Sequence, residues 1–117
     1  MPPDRLARAN RGVTFQIAAE GAFIADAART VEIFEQKGND HVDGMLFAYL
    51  PREKVLIEAE AFSGPRQPLN APVADPGPFT VNLWQNLHRL NLAPEIVLPI
   101  HGRMAKAEEL RFAAGVK

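Results

Sequence analysis

Five prolines between Gly64 and Pro78 (Pro65, Pro68, Pro72, Pro76 and Pro78) decide how this chain can be divided. Each fixes a backbone φ and removes an N–H donor, so neither a helix nor a central strand can run through the stretch. It reads as one long ordered loop, 64–78, between a block of strand patterns and a block of helix, strand and helix. Loops of this length in a compact domain are commonly functional.

On the N-terminal side, Val13, Phe15 and Ile17 alternate with Thr14, Gln16 and Ala18. That period predicts a first strand over Val13–Ala18, behind a flexible lead, 1–12. Ala22–Ala25 and Thr30–Gln36 are two more candidates. Beyond the turn residues Gly38-Asn39-Asp40, the run Met45–Leu50 is apolar on both faces, as a central strand is. Pro51-Arg52-Glu53-Lys54 then joins it to a strand in which Val55, Ile57 and Ala59 alternate with Leu56, Glu58 and Glu60, giving a hairpin.

On the C-terminal side, Leu83, Leu87 and Leu90, with Trp84 beside them, recur at helical spacing over Thr80–Leu90, while Asn82, Asn86 and Arg89 fall elsewhere. Ile96–Ile100 reads as a short buried strand. Met104–Ala114 reads as a second helix with Gly115 placed to end it. The expected fold class is α+β: one mixed or antiparallel sheet with two helices on one face, in a single domain of 117 residues.

Charge and composition remove several function classes. Thirteen basic and fourteen acidic side chains give a net charge of −1, with no basic stripe, so nucleic acid is not an expected partner. Met1-Pro2-Pro3-Asp4-Arg5 lacks the apolar core of a secretory signal, and Met45–Leu50 is far shorter than a membrane span. A cytoplasmic protein without a membrane partner is expected. There is no cysteine, so any metal must be held by His, Asp or Glu.

Chemistry therefore falls to the ends of strands. His41 precedes the core strand, Glu60 ends the Val55–Ala59 strand, and His101 follows Ile96–Ile100. Two imidazoles and a carboxylate are a sufficient donor set for zinc with a position left for water. The plainer alternative is that both histidines bond to backbone and Glu60 is solvated. His88 is expected on a helix surface, Trp84 in the core, Arg103 in solvent, and Asp40 and Asp43 as turn acceptors or partners of the His41 imidazole.

The stretch Asn39-Asp40-His41-Val42-Asp43-Gly44-Met45-Leu46, continued by Tyr49 to Phe62 and by Pro99-Ile100-His101-Gly102, resembles the second half of metallo-β-lactamase-superfamily hydrolases. The resemblance covers roughly Thr30 to Gly115. It implies that His41 completes a first zinc site, that Glu60 bridges two metals, and that His101 serves the second zinc. Glu60 stands where that family normally has aspartate, one methylene shorter, and this shifts the oxygens against metal tolerances of a few tenths of an ångström. The His-x-His-x-Asp-His motif that carries the other ligands does not occur in this sequence.

The family fold is an αββα sandwich of two sheets, and this chain would form one of them. Its inner face would be apolar and uncovered, which a soluble monomer does not tolerate. The resemblance thus predicts a half-domain with a partial metal-ligand set, not competent by itself, paired as a homodimer through that face or with a complementary half-domain chain. Two other readings compete with it: a zinc-dependent hydrolase of an ester, lactone or amide, and a β-rich ligand-binding module whose helices do not stack on one sheet face.

Overall fold

A computed structural model describes residues 2–18 and 21–117. Six strands form one mixed sheet in chain order: β1 (Ala22–Ala25), β2 (Thr30–Glu35), β3 (Leu46–Leu50), β4 (Val55–Glu58), β5 (Ile96–Pro99) and β6 (Ala105–Lys106). All neighbours are antiparallel except β4 and β5. That parallel pair needs a crossover, supplied by the proline loop and helix α2 (Pro78–Arg89). Two further helices are α1 (Arg5–Ala9) and α3 (Ala107–Ala113).

Strand alternation sorts the side chains. Phe47, Leu56 and Val97 point to one face and meet Leu83 and Leu87 of α2 and Leu110 of α3 in a single core. Both of these helices thus lie on the same face of the sheet, against the ligand-module reading. The opposite face carries Ala22, Ile33, Ala48, Ile57 and Leu98 in register across five strands. Among the described residues no helix covers this side, and its side chains are only partly buried.

The expected strand Val13–Ala18 does not form. Residues 13–17 are exposed, Phe15 at 89% and Ile17 at 86%, and β1 begins only at Ala22. Alternation makes a strand only where a neighbour accepts its hydrogen bonds, and within the described residues no strand pairs with this segment. The lead itself contains α1, whose N-cap Asp4 accepts a hydrogen bond from the Ala7 N–H.

Four boundaries also move. The fourth strand stops at Glu58 because its carboxylate turns the chain there (below). The fifth stops at Pro99, although the Ile100 N–H still donates to the Glu58 carbonyl. Helix α3 starts at Ala107 rather than Met104, since Ala105 and Lys106 pair with Val97 and Ile96 as β6. At its other end Gly115, at φ +74°, supplies the left-handed residue that ends the helix. Proline at the first turn of α2 begins that helix two residues ahead of Thr80.

Candidate metal centre

His41, Glu60 and His101 meet at one edge of the sheet. Nε2 of His41 lies 3.5 Å from one Glu60 carboxylate oxygen, and Nε2 of His101 lies 3.5 Å from the other. The three side chains are between 48% and 66% exposed. Glu60 is therefore not simply solvated: its carboxylate sits between two imidazoles that sequence separates widely.

Local chemistry holds each of the three in place. His41 follows a turn in which the Asn39 side-chain oxygen accepts a hydrogen bond from the His41 N–H; the turn acceptor is Asn39 and not Asp40. The ring of His41 packs against Phe79 at the start of α2, with centroids 5.1 Å apart. Behind the turn, the Lys37 N–H donates to Asn86, the Asn86 amide donates to the Lys37 carbonyl, and the Asn82 amide donates to the carbonyls of Lys37 and Gly38. The two asparagines of α2 that fall outside its leucine stripe thus anchor the His41 turn, and Asn86 is 2% exposed.

Asn86→Ala should cost about 1–2 kcal/mol, because it removes the side-chain acceptor of the Lys37 N–H and one of the two asparagine donors to the Lys37 carbonyl, the other being Asn82. Urea unfolding against wild type measures it, and a change below about 0.5 kcal/mol would show that the turn is not held this way. Spacing on the helix could not have revealed the pair. The relevant signal was two asparagines one turn apart in a helix, since asparagine has no intrinsic reason to be there.

Glu60 is placed by Glu58. One carboxylate oxygen of Glu58 accepts hydrogen bonds from the N–H groups of Ala61 (2.9 Å) and Phe62 (3.3 Å), which folds the chain directly after β4 and projects Glu60 outward. Thr80 of α2 donates to the Ala61 carbonyl at 2.7 Å and secures the same turn. The other Glu58 oxygen has no partner among the described residues, and the side chain is almost wholly buried. Burial raises its pKa to about 7, with the nearby Glu60 charge adding to the effect and the two backbone donors and His101 opposing it.

His101 is fixed through its neighbours. Gly102 pairs with Gly64 at the start of the proline loop, at φ +105°, where a side chain would be strained and would meet the Gly64 backbone. Arg103 does not project into solvent as expected. It donates to the Pro65 carbonyl, to the Met104 carbonyl, and to the buried carboxylate of Glu109, which also accepts from the N–H groups of Leu69 and Lys106. The guanidinium holds the Glu109 carboxyl below the usual range, and Glu109 in turn raises the pKa of Arg103. A formal ion pair and four backbone partners thus staple the proline loop to the strand end that carries His101. Of the other residues, His88 lies on the helix surface with Nδ1 at 3.1 Å from the Trp84 carbonyl, and Trp84 packs at the margin of the core.

Donors of one zinc ion, each about 2.0–2.2 Å from it, lie roughly 3.0–3.5 Å apart. Each imidazole–carboxylate pair here meets that spacing, and two His with one carboxylate is the donor chemistry of a zinc site that keeps an open position. The imidazoles face different oxygens of Glu60, however, and among the described residues no group of three His, Cys, Asp or Glu side chains already encloses one point. The two imidazole–carboxylate pairs each fit a divalent ion in chemistry and spacing. Closing on a single ion requires the rings to turn toward each other.

One mixed sheet with two helices on one face, and an opposite face that no helix among the described residues covers, is the architecture of half of an αββα metallo-β-lactamase sandwich. The chain is a partial domain of the metallo-β-lactamase fold. Solved structures agree: a metallo-β-lactamase from Pontibacter korlensis matches 93% of this chain with a TM-score of 0.60 at 20% identity. Rubredoxin oxygen:oxidoreductase from the anaerobe Desulfovibrio gigas matches 80% at a TM-score of 0.56 and 21% identity. The peroxy diiron species of the chemotaxis sensor ODP matches 84% at a TM-score of 0.55 and 17% identity. The chain spans 51%, 28% and 50% of these proteins' lengths. No family model and no curated protein matches the sequence. Among the described residues, no helix is long and apolar enough to cross a membrane.

Proposed function

We propose that this chain is a divalent-metal-binding half-domain of the metallo-β-lactamase fold, in which His41, Glu60 and His101 hold one ion. The observation that carries the reading is the Glu60 carboxylate held 3.5 Å from both imidazoles. Zinc is the ion whose ligand preference this set meets, since imidazole and carboxylate donors with no thiolate suit it and its four-coordinate sites tolerate few protein ligands. A bound zinc would make its water acidic enough to ionise near neutral pH. The chain's own part is to present the donors: Glu58 and Thr80 fix the Glu60 turn, Asn82 and Asn86 fix the His41 turn, and the Gly64–Gly102 contact fixes His101.

Hydrolysis is not assigned to this chain by itself, because the His-x-His-x-Asp-His motif is absent from its sequence. A second reading, a zinc-dependent hydrolase of an ester, lactone or amide, is favoured by one feature: the three donors are half exposed, so a bound ion would be open to water and substrate.

Titration of the metal-stripped protein with zinc, followed by calorimetry and elemental analysis, tests both readings. About one zinc per chain is expected, with affinity reduced at least tenfold in His41→Ala, Glu60→Ala and His101→Ala. Stoichiometry near zero, or binding unchanged in all three variants, overturns the proposal. Turnover of a generic aryl ester by the zinc-loaded protein, lost in the same variants, would replace it with the hydrolase reading.

A further inference from the structure

The uncovered sheet face is apolar in every central row. Ala22, Ile33, Ala48, Ile57 and Leu98 stand side by side across β1 to β5. One step along the strands are Ile24, Val31, Leu50, Val55 and Ile96. One step the other way are Leu46, Ala59 and Ile100, with charge entering only at the margins, through Glu35 beside Leu46 and Lys106 beside Ile96. Leu46 and Ile100 remain 46% and 67% exposed. Faces of this kind belong against another layer.

We infer that a second copy of this chain covers the face, packed sheet on sheet about a twofold axis that runs parallel to the strands between β3 and β4. Relief on the face favours a copy of itself. Its shallow hollow has Ala48 and Ala59 as the small residues, with Ile33, Leu46, Ile57 and Ile100 around them. In the central hairpin Ala48 stands beside Ile57, and continuing that register sets Leu46 beside Ala59.

The β3–β4 gap is the middle of a six-stranded sheet. A twofold axis along it sets Ile57 of each copy over Ala48 of the other, and Leu46 over Ala59, so at the centre each projection meets a small residue and the exchange is reciprocal, while Ile33 meets Leu98 on the flanks. An axis across the strands between the two rows would set Ile33 on Glu35, and one through the Ala48/Ile57 row would stack Ile57 on Ile57 and Ala48 on Ala48, leaving bumps on bumps and gaps on gaps. Close packing rejects that arrangement.

Area is sufficient. Six strands of two to six residues, spaced about 4.8 Å apart with about 3.3 Å per residue, offer roughly 400 Å² per copy. Two copies remove about 1,000 Å² once the corrugation is counted, the size at which specific interfaces begin. The chosen axis also puts both His41/Glu60/His101 sets at the same end of the sandwich, because rotation about a line parallel to the strands does not exchange their ends.

Light scattering and sedimentation of the metal-stripped protein between about 1 and 100 µM test the inference independently of metal binding. A species of twice the 12.9 kDa chain mass is expected. Ile57→Asp and Leu46→Asp should each raise the dimer dissociation constant at least a hundredfold. Phe23→Asp, whose side chain is 69% exposed and shares the helix-side register of Glu32 and Tyr49, should leave it unchanged. Circular dichroism identifies any variant that fails to fold, and half-exposed Leu46 then decides the matter without Ile57. A wild-type monomer at 100 µM, a dimer indifferent to Leu46→Asp, or one broken by Phe23→Asp overturns the inference.

Discussion

Glu109→Ala should destabilise the protein by about 2 kcal/mol, the cost of taking a buried carboxylate acceptor away from two backbone N–H groups. Glu109 is 6% exposed and accepts hydrogen bonds from Arg103, from the Leu69 N–H in the proline loop and from the Lys106 N–H at the start of α3. Truncation leaves both N–H groups unpaired and strands a guanidinium whose side chain is only 33% exposed. Urea unfolding of wild type, Glu109→Ala, Arg103→Leu and the double variant separates the contributions. The double variant should lose less than the sum of the single ones, because the second substitution removes a charge that the first has already left alone. Additive losses would show that the two side chains act separately and that the loop is held by other means.

This ion pair also shows where sequence reading stopped. The strand and helix order, the two turns and the proline loop are local patterns, and a periodicity argument sees them because adjacent residues decide them. His41, Glu60 and His101 were legible as candidates for the same reason: each lies beside one end of an apolar run, and strand ends present side chains. Arg103 looked like a solvated arginine because its partners lie in the loop and on α3, and an isolated arginine is most often exposed.

Glu58 was equally hidden. In an alternating strand it takes the place of a helix-side apolar residue; the pattern grouped it with Leu56 and Glu60 without giving that group a face, and the structure puts it with Leu56 against the core. Val13, Phe15 and Ile17 failed in the opposite way. They have strand periodicity and, among the described residues, no strand to pair with, a non-local condition that no window of sequence contains.

Glu58 gives the other large effect, one that appears on changing pH. With a folded pKa of about 7 against an ordinary value of 4.5, the native protein keeps the Glu58 proton to higher pH than the unfolded chain does. Native molecules then bind more protons than unfolded ones between these limits, so stability falls as pH rises from about 4.5 to about 7 and is level above that. A shift of this size corresponds to about 3 kcal/mol. Glu58→Gln removes the dependence: its side-chain oxygen can still accept from Ala61 and Phe62, and an uncharged amide replaces the second oxygen that has no partner. In chelator, urea unfolding at pH 5 and pH 8 should therefore show wild type losing about 3 kcal/mol more than Glu58→Gln over that interval, with the variant the more stable protein at pH 8. Parallel pH profiles would mean that Glu58 is ionised in the native state at pH 5. The turn that projects Glu60 would then be built around a buried carboxylate anion rather than a carboxylic acid.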